Sequence, residues 1–209
     1  MQFPALDKNI TILHERLSIK IPDPSAVQVA YNTKLLTDFP YWSKIWPAAL
    51  ALCEVVAKEK EKFAGKTVAE IGAGLAAPGI YAARFADEVL VTDYLRSPLD
   101  YVQLTLLENA FHNIRTSILN WKEDPPPPCD ILLMSDLNYA PADLESLRRF
   151  IKDALHNQTV IYLSTPQRLI AKSFVESLRE SIYDEWAITT EGVDCTVYKL
   201  GGSKEHAGN

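Results

Sequence analysis

Between Thr67 and Leu200, short apolar runs rich in branched residues alternate with helix-like stretches, and that alternation leaves few folds open. Strands are expected from Thr67 to Ile71, Glu88 to Thr92, Thr116 to Leu119, Ile131 to Met134 and Val160 to Ser164. Helices are expected between them, from Ala76 to Phe85, Pro98 to Asn113 and Leu144 to Leu155, and then from Leu169 to Ile182. Strands joined through helices make parallel crossovers, so the pattern predicts an α/β fold whose mostly parallel central sheet carries helices on both faces. Two last β-rich runs, Glu185 to Thr190 and Asp194 to Leu200, are linked by Glu191-Gly192-Val193 in the manner of a hairpin. Upstream, Pro47 suits a first helical turn, and the apolar spacing after it predicts a helix that ends among the charges Lys58 to Lys62. Ahead of that, Ile10, Ile12, Leu17, Ile19 and Ile21 alternate with polar residues. Beyond the turn Pro22-Asp23-Pro24-Ser25, Val27, Val29 and Tyr31 alternate likewise, which predicts a short N-terminal β extension. One domain is expected over residues 1–200, with residues 1–40 as the extension, 41–200 as the core and 201–209 as a flexible tail.

Charge and cysteine content narrow the function classes. The chain has 209 residues, and its 27 acidic side chains against 21 Lys and Arg give a net charge of −6, the wrong sign for holding nucleic acid by its phosphates. A cationic partner stays open. The three cysteines, Cys53, Cys129 and Cys195, show no C-x-x-C spacing and no histidine cluster, so neither a disulfide framework nor a metal site is expected. The N-terminus lacks a secretory pattern, and no apolar run reaches the length of about 18 residues that a membrane span needs. A cytoplasmic location without membrane contact is expected.

The stretch Val68-Ala69-Glu70-Ile71-Gly72-Ala73-Gly74-Leu75-Ala76-Ala77-Pro78-Gly79 joins the first core strand to its helix. Gly72 and Gly74 let the backbone turn sharply and approach a ligand, and Ala77 can stand at the last position of G-x-G-x-x-G/A. Asp93 stands about twenty residues on, where the second core strand ends and a carboxylate can hold ribose hydroxyls. Together these residues point to a nucleoside-containing cofactor. Glu70 selects among such cofactors: a carboxylate just before Gly72 is ill suited to a pyrophosphate but suits a ligand whose equivalent end carries an ammonium. S-adenosylmethionine has that ammonium and no phosphate, so it is expected in preference to a nicotinamide dinucleotide.

With these residues in order, the chain resembles the seven-stranded class I methyltransferases, and within them the methyltransferase family 16 group, which includes many protein-lysine methyltransferases. The resemblance runs from Tyr41 to Arg168. It rests on Trp46-Pro47-Ala48-Ala49, Glu70-Ile71-Gly72-Ala73-Gly74 with Pro78-Gly79, Thr92-Asp93-Tyr94, Asn109 and Asn113, Leu119-Asn120-Trp121, and Ser135-Asp136-Leu137-Asn138-Tyr139, which matches the group's D-x-x-Y. It implies a Rossmann-like fold. In one place the chain departs from the group, with Leu75-Ala76 where Thr-Gly is usual. The extra methyl of Ala76 near the expected methionine end would lower cofactor affinity or shift the loop.

The resemblance also implies residue roles. Asp93 would hold the ribose and Trp121 would lie beside the adenine, with Tyr94 as a second apolar wall. Trp46 would line the cofactor pocket, where an aromatic face also favours a sulfonium, and Trp42 is a weaker candidate. Asp136 and Tyr139 follow an apolar strand at the end where open α/β sheets bind ligands. Methyl transfer needs alignment and exclusion of water rather than a covalent nucleophile, and a lysine acceptor must lose a proton that a nearby carboxylate would tend to retain. Asp136 is therefore assigned to binding and orienting the acceptor amine, and Tyr139 to shaping its channel, against the alternative that Asp136 caps the helix near Pro141. Asn109 and Asn113 would support the cofactor loop or be solvated, and Arg168 would meet substrate or a surface acid. The expected reaction is S-adenosylmethionine-dependent N-methylation of a protein lysine. A small-molecule amine acceptor, a non-catalytic S-adenosylmethionine-binding module and a nicotinamide oxidoreductase are the alternatives.

Overall fold

The computed structural model describes residues 3–36, 39–109, 111–167 and 169–201, and of residues 169–171 the backbone only. Arg168 and the tail beyond Gly201 therefore lie outside the described residues. At the N-terminal end, β1 (Ala5–Ile12) and β2 (Glu15–Pro22) pair as an antiparallel hairpin in which Ile10 faces Leu17. The third expected strand of the extension is instead a helix, α1 (Pro24–Asn32). Asp23 caps it by accepting a 2.8 Å hydrogen bond from the Ser25 N–H, and Pro24 fits its first turn. The burial repeat is three rather than two: Val27 and Ala30 are buried one turn apart, while Val29 and Tyr31 face outward.

After a 3-10 turn at Tyr41–Ser43, α2 (Pro47–Lys58) begins on Pro47 and ends at the expected charges. It is followed in turn by β3 (Thr67–Ile71), α3 (Ala77–Ala82), β4 (Glu88–Asp93), α4 (Arg96–Asn109), β5 (Ile114–Ile118) and β6 (Ile131–Ser135). The remaining elements are α5 (Leu144–His156), β7 (Val160–Pro166), α6 (Leu169–Glu176), β8 (Ile182–Thr190) and β9 (Val193–Leu200). Seven strands form one sheet in the order β5-β4-β3-β6-β7-β9-β8. The first five are mutually parallel, and β9 runs antiparallel to both β7 and β8. A two-residue turn joins β8 to β9, with Glu191 at φ +49° and Gly192 at φ +75°, the left-handed pair that matches the twist of a tight hairpin.

Strand residues alternate between the two faces. Val68 and Leu133 pack into a cluster with the apolar sides of α2, α3 and α4, while Ala69, Ile71, Leu132 and Met134 pack against α5 and α6. The β1–β2 hairpin adds Ile10, Ile12, Leu17 and Ile19 to the first cluster, and the Lys20 N–H donates to Thr105 Oγ1 on α4 at 2.9 Å.

Three helices are shorter than their apolar pattern suggests. The stretch after α3 curls away because Asn113 Nδ2 donates to the carbonyls of Ala83 (2.8 Å) and Ala86 (3.0 Å). Asn113 lies beyond the end of α4, one residue before β5. At the end of α6, Ser177 Oγ donates to the Phe174 carbonyl, and Ile182 is already paired with Leu200 in the sheet. Cys53 and Cys195 are buried and Cys129 is half-buried, none in a disulfide. Among the described residues no helix is long and apolar enough to cross a membrane.

Candidate active site

Strand order reverses between β3 and β6, since the chain builds outward from β3 to β4 and β5 and then returns to the other side through β6 and β7. Loops leaving the carboxyl ends of two such strands diverge and open a crevice. Here the crevice is a cavity of about 880 Å³, into which the loops after β3, β4, β5 and β6 all project.

The glycine turn after β3 alternates into left-handed backbone, with Gly72 at φ +58°, Gly74 at φ +53° and Ala76 at φ +56°. Space is also tight: a Cβ on Gly72 would stand 2.6 Å from Leu137 Cδ2, so Leu137 would have to move, while one on Gly74 would reach van der Waals contact with the Trp42 carbonyl oxygen at 3.4 Å. Ala76 adopts the same conformation without being glycine, is almost fully buried, and lies where α3 begins. Asp93, at the end of β4, fastens this turn. Its Oδ2 accepts from the Gly74 N–H at 2.9 Å, and its Oδ1 accepts from the Leu95 N–H at 2.9 Å. The lone pairs of the two oxygens outnumber the N–H groups that face them, which leaves acceptor capacity for a ligand hydroxyl. Burial raises the Asp93 carboxyl above its ordinary range, against the pull of the Leu95, Gly74 and Tyr94 N–H groups.

Of the residues singled out from sequence, Trp46, Gly72, Gly74, Asp93, Tyr94, Trp121, Asp136 and Tyr139 all line this cavity, as does Trp42. Trp121 is buried with Lys122 Nζ over its ring, 5.5 Å from the centroid, and Lys122 pairs with Asp143 at 2.6 Å. Tyr94 is mostly exposed. Asp136 sits at φ +51° with its N–H donating to the Ser164 carbonyl at 2.9 Å. Asp136 lies four residues ahead of Ala140, the N-cap of the 3-10 turn at Pro141–Asp143. Burial raises the Tyr139 hydroxyl, with the neighbouring Tyr94 and Asp143 adding to it.

Glu70 stands apart. It faces α3 rather than the cavity, is fully buried, and its Oε2 accepts from the Gly79 N–H at 2.7 Å while its Oε1 has no hydrogen-bond partner among the described residues. Burial lifts its carboxyl to about 8, the Gly79 N–H opposing and Asp93 reinforcing the shift. Asn109 and Asn113 also lie outside the cavity lining: Asn109 Nδ2 donates to the Thr105 carbonyl at 2.8 Å, and Asn113 holds the turn after α3.

The sequence reading missed Phe39, Tyr41 and Lys44. Tyr41 touches two residues already singled out, with its ring centroid 6.1 Å from those of Trp46 and Tyr139, and Trp46 Nε1 donates to the Tyr41 carbonyl at 2.8 Å. A run of aromatics just ahead of Trp46 was the available signal.

The residues present fit S-adenosylmethionine. The glycine turn leaves backbone free of side chains, Asp93 has acceptor capacity for a diol, and Trp121 and Trp46 offer aromatic faces. No Lys or Arg stands on the turn to neutralise a pyrophosphate, since the cationic residues lining the cavity, Lys44 and Lys122, come from other loops.

Residues 41–181, about two thirds of the chain, match the family described as lysine methyltransferase. The histone-arginine methyltransferase METTL23 of Xenopus laevis is 32% identical over 114 residues, covering 51% of this chain and 49% of that protein, so the match spans about half its length. The human METTL23 is 30% identical over 142 residues (64% of this chain, 75% of that protein), and the EEF1A lysine methyltransferase 3 of Mus musculus is 28% identical over 169 residues (75% and 71%). Among solved structures, the 16S rRNA N2 G1207 methyltransferase of T. thermophilus in complex with AdoMet and guanosine superposes with a TM-score of 0.64 at 16% identity, over 95% of this chain and 50% of that one, a likeness of fold. With its seven-stranded sheet, its glycine turn and Asp93 on one cavity, and this match, the chain belongs to the lysine methyltransferase family.

Proposed function

We propose that the chain is an S-adenosylmethionine-dependent methyltransferase that modifies nitrogen on a lysine side chain of a protein, in the cytoplasm. The observation that carries this reading is the convergence of the glycine turn, Asp93 and the Asp136–Tyr139 loop on one cavity. When bound, S-adenosylmethionine supplies a methyl group made electrophilic by its sulfonium. Gly72 and Gly74 give the ligand a backbone surface, Asp93 accepts from the ribose diol, and Trp121 covers the adenine. Asp136 captures the incoming ammonium and orients it, and Tyr139 narrows the approach so that the nitrogen arrives in line with water excluded. The Asp136 carboxylate favours the charged amine, and the proton passes to bulk water while the cavity mouth is still open, before water is excluded and the nitrogen attacks.

Arginine is the second reading, favoured by the similarity to proteins named as histone-arginine methyltransferases. A radiolabelled methyl-transfer assay on cell extract tests both. Label in the macromolecular fraction, found on lysine after hydrolysis, is the expected result. Label on arginine selects the second reading, and label confined to small molecules rejects a protein acceptor.

A further inference from the structure

At the mouth of the cavity, Tyr41 stands between Trp46 and Tyr139 with both partner rings tilted 38° to its own. The hydrogen bond from Trp46 Nε1 to the Tyr41 carbonyl ties the indole to the same 3-10 turn that carries the tyrosine. Phe39 meets Tyr41 edge-on at 5.4 Å. Tyr41 and Tyr139 are each at least half exposed, an unusual placement for two large rings that already touch.

This cluster already faces a cation. Lys44 Nζ lies 5.2 Å from the Phe39 ring centroid and 5.9 Å from that of Trp46, within the range at which an aromatic face attracts an ammonium. Rings and carboxylates divide cationic ligands by chemistry. An unmethylated ammonium keeps three strong N–H donors and is best held by an acid such as Asp136. A methylated ammonium has lost donors and carries its charge on methyl groups, so it gains most from several aromatic faces.

We propose that Tyr41, Trp46 and Tyr139 wall a vestibule that binds the methylated ammonium of lysine, so that an acceptor carrying one methyl group is retained for the next transfer. The proposal rests on reading this cavity as a methyltransferase site, and it makes Tyr41 a determinant of how many methyl groups an acceptor receives.

The test uses the full chain and Nα-acetyl-Nε-trimethyllysine methylamide as probe, beside its neutral tert-butyl isostere. Binding is followed through the Trp46 indole N–H resonance, assigned with a Trp46→Phe variant. The charged probe is expected to move that resonance, with the isostere binding about two- to thirtyfold more weakly, the span of one cation–π contact. Tyr41→Ala is expected to weaken the charged probe by a similar factor. Tyr41→Leu, which keeps bulk without a ring, is expected to do the same and covers the case in which the alanine variant unfolds. Equal binding of the two probes, no response to the charged one, or wild-type binding by a folded Tyr41 variant would each overturn the vestibule. Calorimetry with S-adenosylmethionine separates the two ideas: absent cofactor binding with a normal probe response rejects the methyltransferase reading alone, and cofactor binding without probe response rejects the vestibule alone.

Discussion

Glu70 and Gly79 hold β3 and α3 together at the limit of backbone approach. The Glu70 Oε2 accepts from the Gly79 N–H at 2.7 Å, and a Cβ on residue 79 would stand 2.6 Å from that same oxygen. The carboxylate that the sequence assigned to a ligand is thus also a fastener of the helix behind the glycine turn.

Stability should depend on pH through this residue. The folded carboxyl is raised from 4.5 to about 8, so the folded state holds the proton more tightly than the unfolded chain does. Its contribution is complete below the unfolded value and is lost as pH rises through about 8, at up to about 1.4 kcal/mol per pH unit. Glu70→Gln keeps the acceptor for Gly79 and removes the titration. Denaturant unfolding between pH 5 and 9 is expected to show a flatter profile for the variant; parallel profiles would mean that Glu70 is ionised throughout.

Asp93→Ala removes the acceptor for the Gly74 and Leu95 N–H groups as well as the expected ribose contact. Calorimetry should show S-adenosylmethionine binding weakened by about 1–3 kcal/mol. Thermal unfolding should show a lower Tm, because two part-buried donors lose their partner. Unchanged affinity would remove Asp93 from the cofactor site.

Ala76→Gly should stabilise the protein. The left-handed backbone at φ +56° strains an alanine by about 1–2 kcal/mol, of which glycine's greater freedom in the unfolded chain returns part. A net gain of up to about 1 kcal/mol is expected in denaturant unfolding, with cofactor affinity unchanged or higher. A loss of affinity would show that the Ala76 methyl group contacts the ligand favourably.

Asp136→Asn is expected to fold normally, because asparagine tolerates the left-handed conformation that Asp136 occupies. S-adenosylmethionine affinity should stay within a few-fold, while methyl transfer to the identified acceptor falls by the equivalent of about 1.5–3 kcal/mol, chiefly through weaker acceptor capture. Wild-type transfer rates, or outright loss of cofactor binding, would move Asp136 to another role.

Sequence reading succeeds where the deciding physics is local. The glycine turn, the start of α2 on Pro47 and the ends of β3 follow from backbone freedom and residue spacing over a few positions. It fails where a distant partner decides. Val27, Val29 and Tyr31 alternate as a strand would, but the Asp23 cap and burial of Val27 with Ala30 make a helix. The pattern after Ala77 continues as a helix until Asn113, some thirty residues on, takes the carbonyls of Ala83 and Ala86. Tyr41 went unnoticed for the same reason: Tyr139, which gives it meaning, is nearly a hundred residues away.

The position of β9 between β7 and β8 bears on how the chain is assembled. During synthesis β7 and β8 leave the ribosome before the strand that separates them: β7 can pair with β6, but its other edge and the whole of β8 have no correct partner until β9 has emerged. The parallel part, from β5 to β7, can form earlier and present its glycine turn and Asp93 while the last strands wait. A nascent chain stalled near Thr190 would therefore display the free edge of β7 and an unpaired β8, the condition under which a chaperone is needed.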